Sequence, residues 1–243
     1  MTRTLTLIPL ATLAACAAGP SEMVPVGAFS KVDNNSAADI RMVSPTPSDG
    51  SDLPEPDEVG VRCENGADFD ANVIDGVLYL AGDDVVGCTV WLRAEAVESL
   101  VVRGDGEVRA DNDVPLFALE SIDVRGGGDV HLGAVRHADL QIVAAGAGEV
   151  EITDLLAEDL DVDIRGSGDV TLAGEAEDAW VDISGSGNFD GSELSIGDLY
   201  IHVTGSGSAD VYVTGSVHAD VTGSGTVDVD GGATIEGNLS LGL

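Results

Sequence analysis

Residues 165–170 read Arg-Gly-Ser-Gly-Asp-Val, and phrases of the same form recur from residue 103 onward. The first glycines of successive copies are 18 to 22 residues apart. A steady period near 20 residues is typical of a stacked array, in which each repeat is one structural unit packed on the next. The seven copies lie at 103–108, 125–130, 145–150, 165–170, 184–189, 204–209 and 222–227.

The residues around each Gly-x-Gly phrase alternate between apolar and polar. In the copy at 165–170, Val162 and Ile164 precede the first glycine and Val170 follows it, with polar residues between them. This alternation predicts a strand, a tight corner and a second strand. The corner requires glycine because a Cβ would strain its backbone angles. Stacking about 4.8 Å apart turns the apolar columns into internal ladders. We therefore predict an all-β, single-stranded parallel β-helix with about 20 residues per coil, and the nine-residue calcium-binding repeat does not fit.

These glycine corners, together with two phrases nearer the N-terminus, resemble the bacterial head GIN domain family. The phrases are Val-Gly-Ala-Phe-Ser-Lys-Val at 26–32 and Asp-Gly-Val-Leu-Tyr-Leu at 75–80. The resemblance covers roughly residues 26–243 and implies a right-handed β-helix related in shape to pectin lyases. It also implies adhesion, with no established catalytic residues. We expect a non-catalytic adhesion or envelope-structural module, and the alternative is a lyase-like enzyme acting on polysaccharides.

The N-terminus has the layout of a secretory signal, with Arg3, an apolar run at 5–13 and then small residues. The stretch Leu13-Ala14-Ala15-Cys16 resembles a bacterial lipobox, which implies cleavage before Cys16 and acylation of that residue. Several acyl chains give a stable anchor, at about 0.8 kcal/mol per buried methylene. Ala17 favours the outer membrane by analogy with Gram-negative lipoproteins. An ordinary signal peptide with an incidental cysteine is the alternative. We predict a signal peptide at 1–15, a lipidated tether at 16–25 and a β-helix domain at 26–243.

Two cysteines remain if Cys16 is acylated. Cys63 and Cys88 lie in phase with apolar neighbours, and their separation of 25 residues is close to one coil length. Adjacent rungs would bring them within bonding distance, so we predict a disulfide in an oxidising compartment. Two buried free thiols are the alternative.

The composition excludes some partners. The chain has 44 acidic and 10 basic residues and a net charge of −34, which repels nucleic acid and other polyanions.

One acidic column follows the corners, and stacked like charges oppose each other unless a cation compensates. Arginines of the same corners or calcium could compensate, although solvated turns in which Asp or Asn bonds local backbone are the simpler interpretation. The column is Glu107, Asp129, Glu149, Asp169 and Asn188, and the arginines are Arg103, Arg125 and Arg165.

The last coils carry the sharpest candidate for a ligand-binding surface. Trp180, Tyr200 and His218 each lie five residues before a corner glycine, so we expect an outward aromatic platform on consecutive rungs. Sugars are bound by stacking on such rings, with polar groups fixing their hydroxyls. The alternative is that a loop or the C-terminal tail covers the rings. His202 lies between Asp182 and Asp220 in the column two residues later, where a lone imidazole is a weak metal signal. We assign no metal and no catalytic residue, because no nucleophile–histidine pattern stands out and no lysine lies in the repeat to act as the base of a lyase.

Overall fold

The computed structural model describes residues 22–44, 54–64, 69–82, 85–110 and 112–238. The predicted signal peptide and Cys16 lie outside these residues. The described chain confirms the predicted parallel β-helix, with coils about 20 residues apart. Its 19 strands are β1 Glu22–Pro25, β2 Lys31–Asn34, β3 Asp39–Val43, β4 Glu58–Cys63, β5 Asp70–Ile74, β6 Val77–Ala81, β7 Cys88–Arg93, β8 Ser99–Val102, β9 Val108–Ala110, β10 Ser121–Val124, β11 Val130–Arg136, β12 Asp139–Ala144, β13 Val150–Ile164, β14 Val170–Gly185, β15 Phe189–Gly205, β16 Ser208–Val213, β17 Ser216–Gly223, β18 Thr226–Gly231 and β19 Thr234–Asn238.

Two parallel walls meet at the glycine corners. The first wall contains the strands that precede the corners and the second wall contains those that follow them, while β13, β14 and β15 are long enough to take part in both. A single 3-10 turn at Ala94–Ala96 joins β7 to β8. Within the described ranges, no helix is long and apolar enough to cross a membrane.

The apolar columns form the interior of the β-helix. Val162 and Ile164 on the first wall and Val170 on the second are fully buried, and their neighbours on the adjoining rungs stand in register with them. Because in-register stacking places one column residue directly over the next, each rung closes the apolar surface of the one before. The repeat therefore builds a continuous core.

Close approach between rungs explains why the corners require glycine. A Cβ on Gly166 would lie 2.0 Å from the carbonyl oxygen of Gly146, and one on Gly168 would lie 2.2 Å from that of Gly148. Only two first glycines of the repeated phrases, Gly205 and Gly223, have positive φ, at 132° and 125°. Unusual backbone angles, the reason predicted from the sequence, thus explain only two of these corners. Lack of space above the previous rung applies at all seven first glycines.

The coils do not stack in chain order at the N-terminal end. The β2–β3 coil lies between the β6–β7 coil and the β8–β9 coil, with Val32 in register between Leu78 and Leu100. On the second wall, Ile40 lies in the same way between Val90 and Val108. The chain therefore leaves its first coil, makes a flanking coil on the outer side, and then returns to start the regular stack.

Side chains take the place of glycine in this intercalated corner. Asn34 is fully buried, and its Oδ1 accepts hydrogen bonds from the backbone N–H of Ser36 at 3.1 Å and from its hydroxyl at 2.7 Å. The Asn34 amide donates to the carbonyl of Ala38 at 2.9 Å. These bonds satisfy the polar groups that the buried turn would otherwise leave unpaired.

Antiparallel strands flank the N-terminal end. On the first wall β5 pairs with β6, while on the second wall β4 pairs with β7 and β1 with β4. Residues 22–25, assigned from the sequence to the tether, therefore form strand β1 in the folded domain. The Cys63–Cys88 disulfide is confirmed. It joins directly opposed residues of the antiparallel β4–β7 pair rather than adjacent parallel rungs.

Candidate glycan-contact site

An aromatic ladder stands on the outer face of the first wall, and it consists of Trp180 on β14, Tyr200 on β15 and His218 on β17. The three residues are in register on consecutive rungs. The Trp180 and Tyr200 rings stack with centroids 5.8 Å apart and an interplanar angle of 6°. The His218 ring follows 6.1 Å from Tyr200, tilted by 40°. The strand alternation that buries Ala179 and Val181 turns these rings outward.

The rings are open to solvent among the described residues. Trp180 is 43% exposed and Tyr200 is 49% exposed, so no described loop covers them. Large aromatic side chains usually bury most of their surface, so exposed rings of this size are candidates for contact with a ligand. The open platform, one of the two arrangements that the sequence left possible, is the one found in the described part of the chain.

His202 lies beside the ladder and does not form a metal centre with its neighbours. Its Nδ1 is 3.8 Å from Asp220 Oδ2, and its Nε2 lies 2.9 Å from Thr204 Oγ1. Asp182 is its register partner on the preceding rung. In the described ranges, no three His, Cys, Asp or Glu side chains are arranged to hold a metal ion. His202 is therefore available as a polar group at the edge of the platform.

A shallow depression of about 550 Å³ adjoins Trp180 on the earlier rungs. Four carboxylates line it, from Glu120, Asp139, Asp159 and Asp161. The Trp180 ring forms one side, and Asp161 is its register partner on the preceding rung. The aromatic ladder thus continues into a concave acidic surface.

The carboxylates after the corners link successive rungs. Asp129 Oδ1 accepts the backbone N–H of Glu149 at 2.8 Å, and Asp169 Oδ1 accepts that of Asn188 at 2.9 Å. The amide oxygen of Asn188 in turn accepts the N–H of Ser208 at 3.1 Å. These side chains therefore bond the backbone of the following coil, rather than their own turn as the simpler interpretation supposed. The glutamates of this column make no such bond in the described chain.

The corner arginines pair with a different set of carboxylates. Arg103 bonds Asp33 at 2.9 Å, Arg125 bonds Asp123 at 2.6 Å, and Arg165 bonds Asp163. Each of these aspartates lies on the strand face before a corner. Compensation of the acidic column by the arginines of its own corners, one possibility that the sequence left open, is not found among the described residues, because the arginine side chains pair along the first wall.

A polar cluster on the second wall was not identified from the sequence. His131 lies between two glutamates, with Nδ1 2.8 Å from Glu151 Oε2 and Nε2 3.3 Å from Glu107 Oε1. Arg109 bonds Glu107, and this hydrogen bond is the main reason that the pKa of Glu107 is lowered; burial opposes it. Arg109, His131 and Glu151 all lie five residues after a corner glycine, so reading that column would have found them.

The comparisons with known proteins agree on the fold. A model of the family described as "putative auto-transporter adhesin, head GIN domain" matches residues 70–233. No curated protein matches the chain significantly.

Several solved structures are similar to this chain. A "putative adhesin" from Parabacteroides distasonis superposes with a TM-score of 0.68 at 21% identity, covering 90% of this chain and 92% of that one. A "putative adhesin" from Bacteroides fragilis superposes with a TM-score of 0.58 at 21% identity, covering 90% and 96%. A "putative lipid binding protein" from Parabacteroides distasonis has a TM-score of 0.60 at 16% identity, covering 91% and 98%. At these identities the likeness concerns the fold alone, and the family model covers most of the chain. The chain therefore belongs to the head GIN domain family, whose description is that of an adhesin.

Proposed function

We propose that the protein is a non-catalytic adhesion module of the bacterial envelope that contacts glycans through the aromatic ladder. The observation that carries this proposal is the exposed, nearly parallel stack of Trp180 and Tyr200. The stack is rigid, because the strands beneath it are held in register by a buried core, and the side of Trp180 away from Tyr200 offers a flat surface to the adjoining depression. Stacking on such a surface costs little side-chain entropy, which favours the binding of flat, weakly polar sugar faces.

The envelope location rests on the sequence of the N-terminus and on the family description. The lipobox-like stretch that ends at Cys16 would attach acyl chains six residues before β1 begins at Glu22. Such an anchor would attach the β-helix by its N-terminal end, with the aromatic ladder several rungs away from the attachment point. Labelling with a radioactive fatty acid tests this location, and the label should be absent from a Cys16→Ala variant.

A glycan array tests the binding function directly. The sample is the chain from residue 17 onward, which contains every described residue. We expect binding that is lost in a Trp180→Ala, Tyr200→Ala double variant. A matched control is Tyr212→Ala, which removes an exposed aromatic side chain from the second wall and should leave binding intact. Binding that survives the double variant would contradict the assignment of the platform.

A polysaccharide-active enzyme is the second candidate, and the His131 cluster is the observation that favours it. An imidazole between two carboxylates, with an arginine beside them, offers groups that could move a proton during cleavage of a polysaccharide chain. A depression of about 520 Å³ adjoins Arg109 and His131. Release of new chain ends from a polysaccharide, lost in a His131→Ala variant, would establish this activity in place of a purely adhesive one.

A further inference from the structure

Carboxylates lie on both sides of Trp180 along its strand and on the preceding rung. On its own strand Trp180 is flanked by Asp178 and Asp182, the next residues on the outer face. Asp161 is its register partner on the preceding rung, next to Asp159 and Asp163 on the same face. Five carboxylates thus occupy the outer positions next to Trp180 on its own rung and on the preceding rung.

Little positive charge is available to neutralise these groups. Asp163 pairs with Arg165, whereas Asp159, Asp161, Asp178 and Asp182 have no ion-pair partner among the described residues. After Arg165 the sequence contains 13 Asp and Glu residues and no Lys or Arg. Like charges on neighbouring rungs repel each other, so this part of the wall carries an electrostatic cost that a bound cation would relieve.

The aromatic stack also favours a positively charged ligand. The face of an indole or phenol ring attracts a cation, and the attraction adds to that of nearby carboxylates. The depression beside Trp180 presents carboxylates of Glu120, Asp139, Asp159 and Asp161, the Gln141 amide and the His137 imidazole, and neither Lys nor Arg lines it. The Nε2 atom of His137 is 3.9 Å from Glu120 Oε1, so the three aspartates face the depression without a cationic partner in the described chain. A neutral sugar would gain only the stacking contact there, whereas a sugar with an ammonium group would gain stacking, cation–π attraction and ion pairing together.

We propose that the ligand of the aromatic ladder is a glycan that carries free amino groups. This inference rests on the proposed glycan-binding function and specifies its substrate class. The sugar ring stacks on the side of Trp180 that lines the depression, away from Tyr200, and its ammonium groups lie against Asp161 and Asp182. N-acetylation would remove the charge and with it the preference.

Two oligosaccharides of equal length provide the test, a glucosamine hexamer and its fully N-acetylated counterpart. Calorimetric titration of the chain from residue 17 onward, at low salt and just below neutral pH, should show at least about tenfold tighter binding of the amine form, as expected from cation–π and ion-pair contacts. Binding of both hexamers should be weakened in Trp180→Ala, and the preference for the amine form should shrink in an Asp161→Asn, Asp182→Asn double variant. Circular dichroism establishes that each variant is folded.

A matched variant separates local recognition from general attraction to an acidic protein. Asp228→Asn, Asp230→Asn removes the same charge from the second wall and should leave the affinity for the amine hexamer unchanged. An equal loss in both double variants would overturn the proposal, because binding would then depend on net charge. Equally tight binding of hexalysine would also overturn it, since a cationic polypeptide would then fit as well as an amino sugar.

The outcomes distinguish this inference from the function on which it rests. Equal binding of the two hexamers, lost in Trp180→Ala, would leave the glycan-contact function standing and remove the amine preference. Absence of binding to both hexamers, together with a negative glycan array, would contradict both.

Discussion

The two ends of the β-helix are finished in different ways. At the N-terminal end, antiparallel strands pair with the outermost coil on both walls, and Leu78 and Val90 in that coil are fully buried. At the C-terminal end, β18 and β19 pair only with the preceding rung in the described part of the chain, and Ile235 is 45% exposed. In a stacked protein each rung is stabilised by its neighbours, so a rung with one neighbour contributes less than a rung with two. The comparison predicts that stability is concentrated toward the N-terminal end.

Truncating one apolar residue toward each end should give the largest difference in the free energy of unfolding. Leu100 is fully buried between Val32 and Ile122, so Leu100→Ala should lower the free energy of unfolding by about 2–5 kcal/mol. Ile235→Ala at the other end removes a half-exposed side chain and should cost less than about 1 kcal/mol. Urea unfolding measures both. Equal losses would mean that the last rung is packed as tightly as the first ones.

Removing the disulfide should be the next largest effect. The Cys63–Cys88 bond joins β4 and β7 at the N-terminal end, across a sequence separation of 25 residues. Its loss should lower the free energy of unfolding by about 3 kcal/mol on the chain-entropy estimate. A Cys63→Ala, Cys88→Ala variant compared with the oxidised wild type gives this value. Reduction of the wild type should reproduce it, and a reduced wild type as stable as the oxidised protein would show that the antiparallel strands cap the end without the bond.

Glycine substitutions should distinguish a stacked corner from the last turn. A Cβ at Gly104 would lie 1.9 Å from the carbonyl oxygen of Ser36, so Gly104→Ala must displace backbone and should cost about 1–3 kcal/mol or more. Gly232 has nothing within 4 Å of the corresponding position, and Gly232→Ala should be close to neutral. Thermal unfolding midpoints compare the two variants. A neutral Gly104→Ala would contradict the close-approach explanation of the corners.

The smallest predicted effects concern two carboxyl groups, Glu107 and Asp210, whose ionisation changes stability in opposite directions. The pKa of Glu107 is lowered, chiefly by its hydrogen bond from Arg109, so Glu107 stabilises the fold above the usual Glu pKa and loses this contribution as pH falls through its folded pKa. The pKa of Asp210 is raised, chiefly by burial and then by Asp228 and Asp190, so its ionisation disfavours the fold as pH rises through that value.

Two substitutions and a pH series test these signs. Glu107→Gln should destabilise the protein near neutral pH, whereas Asp210→Asn should stabilise it slightly. Both differences should vanish in acid, where the two carboxyl groups are protonated in the folded and the unfolded protein. Urea midpoints measured from neutral pH to below the usual Asp pKa would show this pH dependence. Midpoint shifts of the same sign for both variants would contradict the opposite roles assigned to Glu107 and Asp210.

The candidate site was more predictable than the capped end. Trp180, Tyr200 and His218 occupy one column of a regular repeat, and in-register stacking makes a sequence column a line of neighbours in space. The His131 cluster followed the same rule in another column. By contrast, the pairing of Asn34 and Ser36 in a glycine-free corner, and the placement of the coil that contains them, have no counterpart in the period.

The sequence by itself determined the β-helix, its coil length and the inward and outward columns. These properties follow from local alternation and a constant period, which repeat at every rung. Only the tertiary structure decided that the β2–β3 coil is inserted between two later ones, that β1 and β4 cap the second wall, and that Asp129 and Asp169 bond the next coil. Those features depend on contacts between segments whose separation does not match the repeat, and local patterns carry no information about which distant backbone will fill a given edge.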